Sequence, residues 1–184
     1  MVFIETKLKG AYIVDLDLIE DHRGFFARSF CKREFENMGL ASEYVQQNIS
    51  YNKKKGTLRG LHYQKAPYEE VKLVRCIKGA IFDVIADIRE DSPTYLQWIG
   101  VELSEENRKM IYVPKGFAHG FQTLTDDSEA MYMMSEFYHG DHGETILYSD
   151  SKIGIRWPIS DSIITNDKDK SALGVSDRRE SHDE

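Results

Sequence analysis

The run A-I-F-D-V-I-A-D-I, residues 80–88, is the strongest strand signal in the chain. Its β-branched and aromatic side chains suit a pleated surface, and its period of two sets Asp83 and Asp87 on one face. Lys78-Gly79 turns the chain on one side, and Ser92-Pro93-Thr94 on the other. Working upstream, strand patterns recur at residues 71–76, 57–63, 44–51 and 25–30, and as two strands within 3–18 broken at Gly10. Downstream they recur at 96–103, 109–113, 121–124, 129–137 and 144–148. A short helix is expected over 32–38, closed by Gly39, and a short helix or loop over 163–173. Many short strands with one or two short helices predict an all-β sandwich or barrel.

The 184 residues suffice for one domain with a real core, assigned to 1–175. Residues 176–184, S-D-R-R-E-S-H-D-E less its anchor, carry no large apolar side chain and are expected to be disordered. A net charge of −7 argues against a general nucleic-acid binder, yet leaves room for a locally basic pocket. Cys31 and Cys76 have neither metal-ligand spacing nor a disulfide framework, so buried free thiols are expected. The start M-V-F-I-E-T-K is unlike a signal peptide, and no apolar run approaches the roughly 18 residues of a membrane span. A cytoplasmic protein without membrane or nucleic-acid partners is the expectation.

Chemistry concentrates in G-T-L-R-G-L-H-Y-Q-K-A-P-Y-E-E-V-K, residues 56–72. Arg59 and Lys72 offer fixed positive charge for an anion, and His62 a base that works near neutral pH. An inert, hydrogen-bonded strand histidine is the plain alternative, but burying Arg59 and Lys72 beside it is costly without an anionic partner. Regular alternation puts Arg59 and His62 on opposite faces, so both reach one pocket only through a bulge near Gly60. Pro114-Lys115-Gly116-Phe117-Ala118-His119 resembles the second cupin motif, P-x-G-x-x-H. The first cupin motif of metal-binding members contains H-x-H, and here it reads His62-Tyr63-Gln64; Gln is a poor transition-metal ligand, so a metal-free pocket is expected. His139 and His142 read as solvated loop residues. Tyr132 and Tyr138, six apart, share a face of a regular strand, where core packing competes with a proton-donor role. Asp169 reads as an exposed loop carboxylate or as a buried partner that orients an imidazole, and Asp83 is a second candidate for that partner.

Together the runs R-G-L-H-Y-Q (59–64), K-L-V-R-C-I-K-G-A-I-F-D-V-I-A-D-I-R-E-D-S-P-T (72–94), V-P-K-G-F-A-H-G-F (113–121) and I-G-I-R-W-P (153–158) resemble the dTDP-4-dehydrorhamnose 3,5-epimerase family. The resemblance extends from the D-x-R-G-x-F segment at Asp21 to N-D-K-D at Asp169. It implies a cupin-type jelly-roll barrel, a homodimer, a nucleotide-sugar substrate and no metal or organic cofactor. It further implies that His62 is the base, that Asp169 holds its tautomer, that Lys72 stabilises an enolate oxygen and that Tyr132, or Tyr138, returns a proton. Arg23, Gln46, Asn48, Arg59 and His119 fall in the implied substrate shell, with Arg28 and Tyr138 as further candidates. The family pattern carries Glu where this chain has Arg28, in a segment that helps to read the nucleotide, so the base is left open. Inversion at one carbon or at two is left open as well.

Overall fold

The structure, a computed structural model, describes residues 1–180. Two antiparallel sheets face one another. The six-stranded sheet runs β1 (Val2–Glu5), β2 (Tyr12–Asp15), β10 (Met110–Val113), β7 (Lys72–Lys78), β12 (Ser128–Met134) and β5 (Gln46–Asn52). The five-stranded sheet runs β13 (Gly143–Thr145), β6 (Leu58–Gln64), β11 (Phe117–Thr123), β8 (Ala80–Asp87) and β9 (Trp98–Ser104). A separate two-stranded ribbon pairs β3 (Ile19–Asp21) with β4 (Gly24–Phe26). Helix α1 (Lys32–Asn37) closes at Gly39, whose φ of +69° suits a residue without a Cβ. Helix α2 spans Asp167–Lys170. Among the described residues no helix is long and apolar enough to cross a membrane.

Side-chain alternation divides the molecule into three apolar layers. Between the sheets, Val74, Cys76, Ile81, Ile85, Phe117 and Phe121 form the central core with their neighbours. Outside the six-stranded sheet, Phe35 of α1 packs on Leu73, Met110 and Tyr112. Outside the five-stranded sheet, Leu61, Val84, Ala86 and Ala118 pack under Ile146 and Ile153. β8 thus buries both faces, which is why it reads as a nearly continuous apolar run.

Several expectations are corrected. The strand expected over 25–30 stops at Phe26, and Phe30 instead packs at a tilt on Phe35 and meets Tyr44 edge-on. β12 ends at Met134 rather than Phe137, so Tyr138 lies beyond the strand. Cys76 is buried as expected, but Cys31, next to α1, is partly exposed. Where a disordered tail is expected from Ser176, a helix α3 spans Val175–Glu180, and 181–184 lie outside the described residues.

Asp87 anchors the turn after β8. Arg89 donates to it through Nε at 2.8 Å and Nη2 at 2.7 Å, Thr94 Oγ1 donates at 2.6 Å, and Ser92 Oγ donates as well. Burial raises the carboxyl pKa, but the bonds from Arg89, Ser92 and Thr94 outweigh it and hold it at about 2, below its ordinary 3.8. A depressed pKa gives stability that is present above the unfolded value and lost as pH falls through the folded one. Asp87→Asn is therefore expected to cost about 2 kcal/mol near neutral pH. In thermal unfolding scanned downward from about pH 6 to about pH 2, the gap to the parent protein should shrink; a gap independent of pH would contradict this account.

Candidate active site

One cavity of about 430 Å³ opens at an end of the sandwich where the inward-facing positions turn polar. Lys72 faces inward at the start of β7, where Val74 and Cys76 on the same face belong to the core. His119 faces inward on β11 between Phe117 and Phe121. Tyr132 of β12 and Gln46, Asn48 and Ser50 of β5 supply the opposite wall.

The bulge required by Arg59 and His62 is present. Against β11, His119 pairs with His62 and Phe121 with Arg59, so two steps on one strand face three on the other. Gly60 lies at φ +110°, and a Cβ there would sit 2.6 Å from the His119 carbonyl oxygen. Only glycine fits this approach. The side chains of Arg59 and His62 both line the cavity as a result.

Asp169 is fully buried and closes the site from the C-terminal part of the chain. Its Oδ1 lies 2.7 Å from His62 Nε2, and its Oδ2 accepts from Gly60 N at 3.0 Å. Its own amide donates to Asn166 Oδ1 at 2.7 Å, the N-cap of α2. Burial pushes the carboxyl pKa up, but the bonds from His62 and Gly60 outweigh it and hold it below its ordinary value. An ionised carboxylate at Nε2 fixes the Nε2–H tautomer and leaves Nδ1 as the basic nitrogen of neutral His62.

Asp83 is not the partner of His62. It sits 2.9 Å from His119 Nε2, fully buried, with Oδ1 unpaired, and burial drives its pKa up against the pull of His119. Two His–Asp pairs therefore lie side by side across β6 and β11. Lys72 Nζ bonds Glu70 Oε1 at 2.8 Å and the His62 carbonyl at 3.3 Å. Arg59 donates from Nε to Asn52 Oδ1 at 2.7 Å. The Tyr132 phenol is half-buried, and desolvation raises its pKa despite the opposing pull of Arg59. A phenol so placed stays protonated at neutral pH.

Of the expected site residues, His62, Tyr132, Asp169, Lys72, Gln46, Asn48, Arg59, His119 and Tyr138 line this one cavity. Arg23 and Arg28 do not. Arg23 folds onto Asp21 in the β3–β4 turn with its side chain 79% exposed, and Arg28 pairs with Glu34 with 63% exposed. Within a single chain neither reaches the cavity: Arg23 sits in the turn of the ribbon, which pairs with neither sheet, and Arg28 lies beyond the ribbon, tied to α1 through Glu34. His139 and His142 are not simply solvated: the Tyr68 ring stacks on His139 at 3.7 Å and meets His142 edge-on at 4.6 Å. Glu70 was not singled out by sequence reasoning, although E-V-K spacing, two residues apart in an extended run, carries the signal. Asn166 and Lys168 also line the cavity; Asn before D-K-D reads as a helix cap, but nothing in sequence brings it to His62. Among the described residues no three His, Cys, Asp or Glu side chains cluster so as to hold a metal ion.

Fold and pocket together define a class: a cupin-type jelly roll whose cavity holds a base, a cation and a phenol suited to moving protons. The family model for dTDP-4-dehydrorhamnose 3,5-epimerase matches residues 5–177. The chain is 45% identical over 170 residues to the dTDP-4-dehydrorhamnose 3,5-epimerase of Shigella flexneri, covering 92% of this chain and 93% of that one. A crystal structure of the dTDP-4-dehydrorhamnose 3,5-epimerase of Bacillus anthracis with TDP and PPi bound superposes with a TM-score of 0.91 at 43% identity, covering 95% and 99% of the two chains. That of the dTDP-6-deoxy-D-glucose-3,5-epimerase RmlC of Legionella pneumophila, in complex with dTDP-4-keto-L-rhamnose, gives 0.90 at 38%, covering 95% and 93%. The chain belongs to the dTDP-4-dehydrorhamnose 3,5-epimerase family and is an isomerase, a sugar epimerase.

Nitrogen-15 NMR of the histidine rings checks the Asp169 contact. Native His62 should be observed as the Nε2–H tautomer when neutral, and Asp169→Asn should abolish that preference. A His62 signal unchanged by the substitution would show that the contact does not set the tautomer.

Proposed function

We propose that this protein inverts C3 and C5 of a nucleotide-linked 4-keto-6-deoxy sugar of the dTDP-4-dehydro-6-deoxyglucose type, through an enolate. The observation that carries the reading is the His62–Asp169 pair at 2.7 Å, set in one cavity with Lys72 and Tyr132. The TDP and dTDP-4-keto-L-rhamnose held by the Bacillus and Legionella proteins support the choice of substrate.

A C–H beside a ketone loses its proton only if charge moves to the oxygen. His62 Nδ1 takes the proton from the carbon next to C4, while Asp169 balances the imidazolium that forms. The C–H electron pair becomes the enolate π bond, and negative charge settles on the C4 oxygen near the Lys72 ammonium. Glu70 holds that ammonium in place. The Tyr132 hydroxyl then delivers its proton to the opposite face of the same carbon, the carbonyl re-forms and the configuration is inverted. Taking and giving on opposite faces requires two groups, and exchange with solvent restores both. General acid–base help of this kind is worth about 10²–10⁴-fold, and charge fixed in advance at the oxygen adds to it. Base, cation and acid are all side chains, so the reading calls for no metal or organic cofactor.

The same reading makes the protein a homodimer. Arg23 and Arg28 fall outside the cavity of their own chain, so they can join a substrate shell only from a second copy. The ribbon that bears Arg23 exposes Ile19 and Phe26, 67% and 68% accessible, which suits burial against a partner. Light scattering should give twice the chain mass. Arg23→Ala should then weaken substrate binding while leaving the mass unchanged. A fully active monomer would sink this part of the reading.

The decisive experiment follows deuterium from heavy water into dTDP-4-keto-6-deoxyglucose by NMR. Deuterium at both C3 and C5 is expected; at C3 alone it would indicate a single-site epimerase. With Tyr132→Phe, exchange should persist with retained configuration while inversion falls by about 10²-fold or more. His62→Ala should abolish exchange. No exchange by the folded native protein, with dTDP or with other nucleotide bases at the Arg28-dependent position, would leave a nucleotide-sugar binding module as the better account.

A further inference from the structure

Gln64 ends β6 and is buried, 4% accessible, with both amide N–H groups and the amide oxygen directed at backbone. Its Nε2 donates to the Tyr68 carbonyl at 2.8 Å and to the Phe137 carbonyl at 3.1 Å. Its Oε1 accepts from His139 N at 2.6 Å. The last two contacts bracket Tyr138. The amide of Tyr138 itself donates to Gln46 Oε1 at 3.1 Å. Three consecutive residues beyond the end of β12 are thus held by two side-chain amides, one from each sheet. The Tyr68–His139 stack locks the same two loops together a second time. Above this clamp the Tyr138 ring lines the cavity although the residue is 57% accessible. It lies close over Gly143, where an added Cβ would come within 3.2 Å of the phenol oxygen.

A tyrosine on an exposed loop has no packing of its own to hold it over a pocket. Here the fixed backbone on both sides of it supplies the constraint that packing does not. The chemistry also explains the residue type. Two carbonyls and one N–H demand two donors and one acceptor at a single position, which the side-chain amide offers; an ionised Glu offers acceptors alone, and Met offers no donor and only a weak sulfur acceptor.

We propose that Gln64 is a positioning residue for Tyr138, fixing the 137–139 backbone so that the phenol covers the cavity mouth and holds the sugar against His62 and Tyr132. This rests on the epimerase reading above. Gln64 acts through Tyr138 and touches no reacting atom.

The test is a double-mutant cycle on the whole protein, with dTDP-4-keto-6-deoxyglucose as substrate. Gln64→Glu and Gln64→Met are each combined with Tyr138→Ala, and kcat and KM are measured together with deuterium uptake at C3 and C5. Because a misplacement of about 1 Å can cost about 10²-fold, each Gln64 variant should lower kcat/KM by about 10- to 100-fold. Tyr138→Ala should add less than about twofold to a Gln64 variant, since residues acting as one unit are not additive. Without substrate, amide hydrogen exchange at Tyr138 and His139 should be slow in the native protein and faster in both Gln64 variants. Losses that multiply, or amide exchange unmoved by the substitutions, would overturn the proposal. If neither Gln64 variant folds, Gln64 is a structural residue and the proposal falls. Absence of turnover by the native protein would instead overturn the epimerase reading, and amide exchange alone would then decide the clamp.

Discussion

A single extra residue in β6 governs the geometry of everything around it. In an unbroken strand Arg59 and His62 point to opposite faces, and one of them is lost from the cavity. The bulge at Gly60 turns both inward, but it also takes the Gly60 N–H out of the ladder with β11. A buried donor left unpaired costs about 1–3 kcal/mol. Asp169 accepts from that N–H with one oxygen and meets His62 with the other. One carboxylate thereby repairs the backbone and orients the imidazole. The N-cap at Asn166 in turn holds Asp169. Strand geometry and acid–base chemistry are solved by the same four atoms, so neither can drift without the other.

The rest of the sandwich divides its inner surface between two tasks. Along β7 the inward positions change from Lys72 to Val74 and Cys76. Along β11 His119 stands between two phenylalanines. Apolar positions bind the sheets together, and polar ones at the open end face the cavity. The polar side chains there are paired at close range: half-exposed His62 with buried Asp169, His119 with Asp83 and Lys72 with Glu70. These groups are thus oriented before any ligand arrives, which is the condition under which fixed dipoles and charges act most strongly.

Much of this was legible in the chain. Period-two alternation gives the strands, and the clash between Arg59 and His62 in that alternation gives the bulge before any coordinates exist. P-x-G-x-x-H locates His119. What was not legible depends on residues far apart. Local pattern alone leaves Asp169 open between an exposed loop and a buried partner, and only the family resemblance ties it to His62, because the Gly60 amide and the His62 ring that it meets lie over a hundred residues earlier. Glu70 hides among other charges near a turn, and Gln64 looks like a failed metal ligand until the loops it ties are seen. Arg23 and Arg28 lie outside the cavity of their own chain, and which surface the β3–β4 ribbon and the segment after it meet is not written in their local pattern.

The separation of His62 from Asp169, 107 positions along the chain, has a consequence for biosynthesis. A ribosome delivers every strand among the described residues before it delivers Asp169. A polypeptide that stops short of Asp169 carries the strands of both sheets, yet it lacks the carboxylate that accepts from Gly60 and meets His62. The Gly60 and His62 contacts of Asp169 are made only once α2 has docked against β6.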